Sequence, residues 1–183
     1  MHTERIIGGL CAPALAGIKP SNLISLKKNV GDVKAQVRLL HSQLSRRGIH
    51  LRILRETEEK LLILVYRPDK LLAYLVRDEI KAFLVSMGYP EDGNLETYLD
   101  ILSSRLQQED FPHEIGAFLG YPIEDIRGFI HNSREGILLV GEWKVYSDAE
   151  KARRTFERYR SCRQGVVRRL MAGSSLAQIF CAA

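Results

Sequence analysis

Two hydrophobic spacings alternate along the chain, and the points where one gives way to the other predict its elements. "SNLISLKK", from Ser21, interleaves Leu23, Ile24 and Leu26 with polar residues and predicts a short strand. Asp32 then stands where a helix cap belongs, ahead of Val33, Val37, Leu40 and Leu44, which recur every three to four residues before Gly48. "IHLRILR" returns to a period of two, with Ile49, Leu51 and Ile53 on one face. "ETEEK" turns the chain, and "LLILVYR" is apolar on both faces, as a central strand covered from both sides must be. Together these two segments predict a hairpin.

The helical period then dominates. Pro68 and Asp69 open a helix carrying Leu72, Leu75, Val76, Ile80, Phe83 and Leu84 up to Gly88, and Asn94 caps another over "LETYLDILSSRL". "FPHEIGAFLGYP", Phe111 to Pro122, divides into the ends of two short helices. Pro112 suits a first turn, Glu114 sits where the helix dipole favours an anion, Ile115, Phe118 and Leu119 form a buried stripe, and Gly120 stops it. Pro122, Glu124 and Asp125 start the next helix by the same rules. "GILLVGEWKVY" predicts a strand, a long basic helix follows from about Asp148 to Ala172, and Ser175 with Gln178 forms a capping box. A strand-helix-strand crossover favours parallel pairing and a hairpin is antiparallel. The expected fold is therefore α+β, or irregular α/β: one domain over residues 1–183, with a small mixed sheet of about four strands covered by helices.

A chain of 183 residues can bury a core without disulfides or a structural metal. No apolar run approaches the roughly 18 residues needed to cross a bilayer, so no membrane partner is expected. "IIGGLCAPALAG" imitates a signal peptide, but two glycines and a proline interrupt it. Cys11, Cys162 and Cys181 are odd in number and widely spaced, which suits neither a disulfide framework nor a zinc cluster, and the cytoplasm is the expected location. Charge changes the picture more. Residues 1–141 carry 18 Lys and Arg against 18 Asp and Glu, whereas residues 142–183 carry 9 against 4. The whole positive excess lies on the last helices. Arg153, Arg154, Arg158 and Arg160 are thus candidates for contacting an acidic protein surface or nucleic acid, although Glu150 is spaced to pair with Arg154 internally.

Candidate chemistry centres on His113 and Glu114. The zinc-protease reading of His-Glu fails because Ala117 occupies the place of the second histidine, and no other histidine pair has metal-ligand spacing. No phosphate-cradling glycine loop, serine elbow or catalytic carboxylate pair is present, so neither a metal nor a cofactor is expected. Cys11 has two readings. Beside a helix starting at Pro13, the dipole would activate its thiol; at the end of a helix over Thr3 to Leu10, it would be inert apolar filler. The first reading gives a thiol-dependent hydrolase or group-transfer site acting on a small molecule or peptide. Cys11 would be nucleophile, His113 base and Glu114 the orienting group, with His41, His50 and His131 as competing bases. The alternative is a non-catalytic accessory protein that binds through the basic helix. Lys19, Arg67 and Lys144 would bind an anion if they converged.

"CAPALAGIKPSNLISL", "LLILVYRPDKL", "FPHEIGAFLGYPIEDIRGFI" and "GEWKVYSDAEKARRTFERYRSC" resemble, in order, the stretches that mark a bacterial family, domain of unknown function 3793. The resemblance runs from about Cys11 to Cys162. It brings no catalytic residue to carry over, but it implies that Cys11, Lys19, Arg67, His113, Glu114, Tyr121, Trp143, Lys144 and Tyr146 stand in marked stretches. This adds Tyr121 to Lys19, Arg67 and Lys144 as candidate ligand-binding residues.

Overall fold

The computed structural model describes residues 2–28, 31–131 and 134–181; the side chain of Cys181 lies outside what it describes. Helix α1 (His2–Leu15) leads into strand β1 (Ser21–Lys27) and helix α2 (Val33–Leu44), which a short 3-10 turn extends to Arg47. Strands β2 (His50–Glu56) and β3 (Lys60–Tyr66) form the expected hairpin. Helices α3 (Pro68–Leu75), α4 (Asp78–Ser86), α5 (Leu95–Arg105), α6 (Ile115–Phe118) and α7 (Ile123–His131) follow. Two minimal strands, β4 (Leu139–Val140) and β5 (Lys144–Val145), precede the long helix α8 (Ala149–Met171) and the terminal α9 (Leu176–Cys181).

Strand β3 is the middle of everything. Its odd residues Leu61, Ile63 and Val65 join a core with α1, α2, α8 and α9, while its even residues Leu64 and Tyr66 join a second core with α3 to α7. A period of two on a strand sends successive side chains to opposite faces, so one apolar heptad supplies both cores. The predicted caps form: Asp32 accepts from the Ala35 N–H and Asn94 from the Thr97 N–H, both at 2.9 Å, and Ser175 and Gln178 bond each other's backbone N–H reciprocally.

The α+β class holds, and four details differ. The sheet has the order β1-β3-β2 and is wholly antiparallel, because β3 inserts between the two strands that the crossover through α2 leaves running in the same direction. A bulge between Ile53 and Arg55 turns Leu54 into the second core. The helix expected from Pro68 to Gly88 is two helices, broken at Val76 and Arg77, where Leu72 and Val76 face solvent and the stripe loses continuity. "GILLVGEWKVY" is not one strand but the β4-β5 pair folded around Gly141, Glu142 and Trp143. Gly141 is pressed against Phe156, and a Cβ there would stand 2.2 Å from the ring.

Two further contacts fix the functional region. The Ser21 hydroxyl donates to the Phe118 carbonyl at 2.7 Å, and Gly120, with φ +73°, lies so close to Pro20 that a Cβ would meet its Cδ at 2.6 Å. These join the segment before β1 to the turn between α6 and α7. Gly120→Ala is therefore expected to cost about 2–4 kcal/mol, combining left-handed backbone strain with overpacking against a rigid ring. Gly173→Ala, at φ +94° with open space around it, should cost only the backbone part, about 1–2 kcal/mol. Urea denaturation of the two variants measures the difference.

Candidate functional site

The site is assembled around the first turn of α7. Asp125 is 3% exposed and its carboxylate accepts four hydrogen bonds: from the Trp143 indole N–H at 2.7 Å, the Tyr146 N–H at 2.8 Å, the Ser147 N–H at 2.9 Å and the Ser147 hydroxyl at 2.8 Å. A buried carboxylate is tolerable when its lone pairs are filled this way. The bonds fasten the segment from Trp143 to Ser147 onto α7. Trp143 then stacks on Tyr121, with centroids 4.9 Å apart, and receives the edge of Phe156 at 4.6 Å. Tyr121 is held at both ends: its carbonyl accepts from the Tyr74 hydroxyl at 2.6 Å, and its own hydroxyl donates to the Glu142 carbonyl at 3.2 Å. In the sequence Asp125 signals only a helix start, because the donors that use it lie about twenty residues away.

Tyr121 is a common wall of two concavities. One is a cavity of about 450 Å³ lined mainly by Phe111, Ile115, Tyr121, Ile126, Phe129 and Trp143, with His113 and Lys144 as its basic side chains. His113 meets Phe129 edge-on at 5.3 Å, and the Lys144 ammonium lies 5.3 Å from the same ring. The other is a cleft of about 520 Å³ against β1, lined by Lys19, Asn22, Leu23, Leu119, Tyr121, Glu142 and Arg163 among others. Lys19 is 4% exposed, and its ammonium lies 5.4 Å from the Tyr121 ring and 5.7 Å from the Tyr159 ring. Glu142, the nearby carboxylate, is held by Arg163 in a two-pronged ion pair. Burial lowers the Lys19 pKa from 10.5 to about 8, against the opposing pull of Glu142 and Cys11 and with help from Arg163.

The three residues expected to act together occupy three different environments. Cys11 lies inside α1, which runs through Pro13, so it sits at neither pole of a helix; it is fully buried among Ile7, Leu15 and Val166, and burial pushes its thiol up to about 12. His113 is exposed at the aromatic cavity. Glu114 is 2% exposed and turned into the second core, where it takes the Arg105 guanidinium at 2.5 Å and the Tyr89 hydroxyl at 3.3 Å. The expected convergence of cations is partial. Lys19 and Tyr121 meet, whereas Arg67 is consumed in closing the end of α1, donating twice to the Leu15 carbonyl and once to that of Arg47. Lys144 belongs to the other concavity. Arg153, Arg154, Arg158 and Arg160 are all exposed, with Arg154 paired to Glu150 at 3.3 Å. At about 100° per residue they spread around the solvent side of α8 rather than forming one stripe. Among the described residues no three metal-ligating side chains cluster.

Two measurements follow from this geometry. In the folded protein at pH 7.5, iodoacetamide should leave Cys11 unmodified until denaturant unfolds the chain, should reach half-buried Cys162 sooner, and should be indifferent to His113→Ala, as read by peptide mass spectrometry. The second concerns Lys19. Below pH 8 folded and unfolded chains both carry its charge; between 8 and 10.5 the unfolded chain binds more protons, so this group adds stability as pH rises through that window. Lys19→Met removes that gain. Unfolding free energies at pH 7 and pH 10 should show the variant's stability relative to the parent falling by up to about 3 kcal/mol.

No curated protein and no solved structure matches the chain. A family model does, over residues 9–180, which takes in the second half of α1, both concavities and α8. The chain belongs to the family described as protein of unknown function, DUF3793.

Proposed function

We propose that the protein binds a small aromatic or otherwise apolar carboxylic acid in the cavity between α6, α7 and Trp143. The observation that carries this reading is the cavity itself: about 450 Å³, walled by aromatic and aliphatic side chains, with basic groups only where His113 and Lys144 line it. A volume of that order holds one or two rings, and an apolar pocket with few polar groups is the usual form of a small-molecule site. Asp125 also lines this cavity, with both of its oxygens engaged by four hydrogen bonds from the protein. Lys144 would then face the carboxylate while Phe129 and Trp143 cover the ring. The reading goes with a bacterial, cytoplasmic setting. Thiol chemistry has no part in it, because the Cys11 thiol is buried away from His113.

Trp143 is the chain's single tryptophan and lines this cavity, so its fluorescence reports occupancy directly. Titration with 2-naphthoate should quench it saturably. Lys144→Met should weaken that binding roughly tenfold, about 1.4 kcal/mol, while changing the affinity of the neutral 2-naphthamide less than about twofold. A linear, non-saturating response to both compounds overturns the proposal.

A further inference from the structure

The second concavity holds two polar groups whose bonding is incomplete. Lys19 is 4% exposed, yet no hydrogen-bond acceptor or carboxylate partner engages its ammonium among the described residues; two tyrosine rings flank it instead. Glu142 attracts the ammonium from nearby but makes no ion pair with it, and Arg163 holds both of its oxygens. Asn22 lines the same cleft and is 8% exposed, and its buried Oδ1 accepts no hydrogen bond from the described residues. A buried acceptor left open costs free energy that packing alone does not return, and a buried ammonium without an anion costs more. Both are tolerated among the residues that line one space of about 520 Å³.

We propose that Lys19 is an imine-forming lysine and that the cleft takes a small aldehyde or ketone, with the Asn22 side-chain carbonyl accepting from the hydroxyl formed on addition. Two features of the cleft favour a neutral, nucleophilic amine over a charged one, burial of the nitrogen and the guanidinium of Arg163 nearby, and together they outweigh the attraction of Glu142. The lowered Lys19 pKa of about 8 agrees with them and leaves a larger uncharged fraction at pH 7.5 than an ordinary lysine at 10.5 has. The chemistry balances without an oxidant or reductant. The amine lone pair adds to the carbonyl carbon, and a proton moves from nitrogen to oxygen to give a carbinolamine. Its hydroxyl then leaves as water with the second amine hydrogen, and a carbon–nitrogen double bond remains. Leu23, Leu119 and Tyr121 offer apolar contact to the rest of the molecule.

The test uses the full chain and needs no variant to establish its baseline. The protein is incubated at pH 7.5 with sodium cyanoborohydride and, separately, butanal or 2-oxobutanoate, and the rate of reductive alkylation is read at each lysine by peptide mass spectrometry. The expected result is Lys19 labelled at least about tenfold faster than exposed Lys70 and Lys151, by one or both compounds; the difference between compounds tells whether a carboxylate is wanted beside the carbonyl. Asn22→Ala should slow Lys19 selectively and leave Lys70 and Lys151 unchanged. Labelling of Lys19 no faster than of the exposed lysines overturns the proposal. So does fast labelling that Asn22→Ala leaves intact as far as the role of Asn22 is concerned.

Discussion

The functional half of this molecule hangs on one buried carboxylate. Asp125 collects four hydrogen bonds from Trp143, Tyr146 and Ser147, and through them ties the β4-β5 pair and the entry to α8 to the first turn of α7. Hydrogen bonds to a charged acceptor are worth about 1.5–3 kcal/mol each, and the carboxylate that accepts these is itself buried. The stack of Trp143 on Tyr121 depends on this arrangement, and Tyr121 in turn lines both concavities. Gly120 and Ser21 do the complementary job, bringing the Lys19 segment against the same turn.

The two concavities differ in what they withhold from water. The aromatic cavity is ordinary in its energetics: apolar walls, basic groups at their edge, and a carboxylate already satisfied. The Lys19 cleft is not. It retains a buried amine and an open amide oxygen where apolar side chains of similar volume would stabilise the fold at neutral pH. Local rules are most often broken where a protein does something, because stability is given up there for reactivity or recognition. Cys11 shows the contrast, since the same surroundings that lower the amine raise the thiol: burial opposes charge in both, making one group more nucleophilic and the other inert.

What could be read from the chain was whatever depends on near neighbours. The period of two in "LLILVYR", the caps at Asp32 and Asn94, the box at Ser175 and Gln178, and the stop at Gly120 followed by a new start at Pro122 all involve residues a few positions apart, and all are found in the fold. Errors came where a local pattern had more than one tertiary solution. A crossover from β1 to β2 leaves open whether the two strands touch, and β3 came between them. The apolar stripe from Leu72 to Leu84 suits one helix or two, and the exposure of Val76 settled on two.

The sequence by itself determined the α+β class, the central strand, the caps and the family stretches that hold Lys19, Tyr121 and Trp143. Only the tertiary structure decided which polar residues meet. It sent Glu114 to Arg105, Arg67 to the end of α1 and Cys11 into the core, while it brought Lys19 and Asn22 to one cleft where, among the described residues, neither the ammonium nor the amide oxygen has a hydrogen-bond partner. The physical reason is range. Hydrophobic period and capping act over one or two turns, whereas the fate of a charge depends on which distant donors and acceptors packing carries to it.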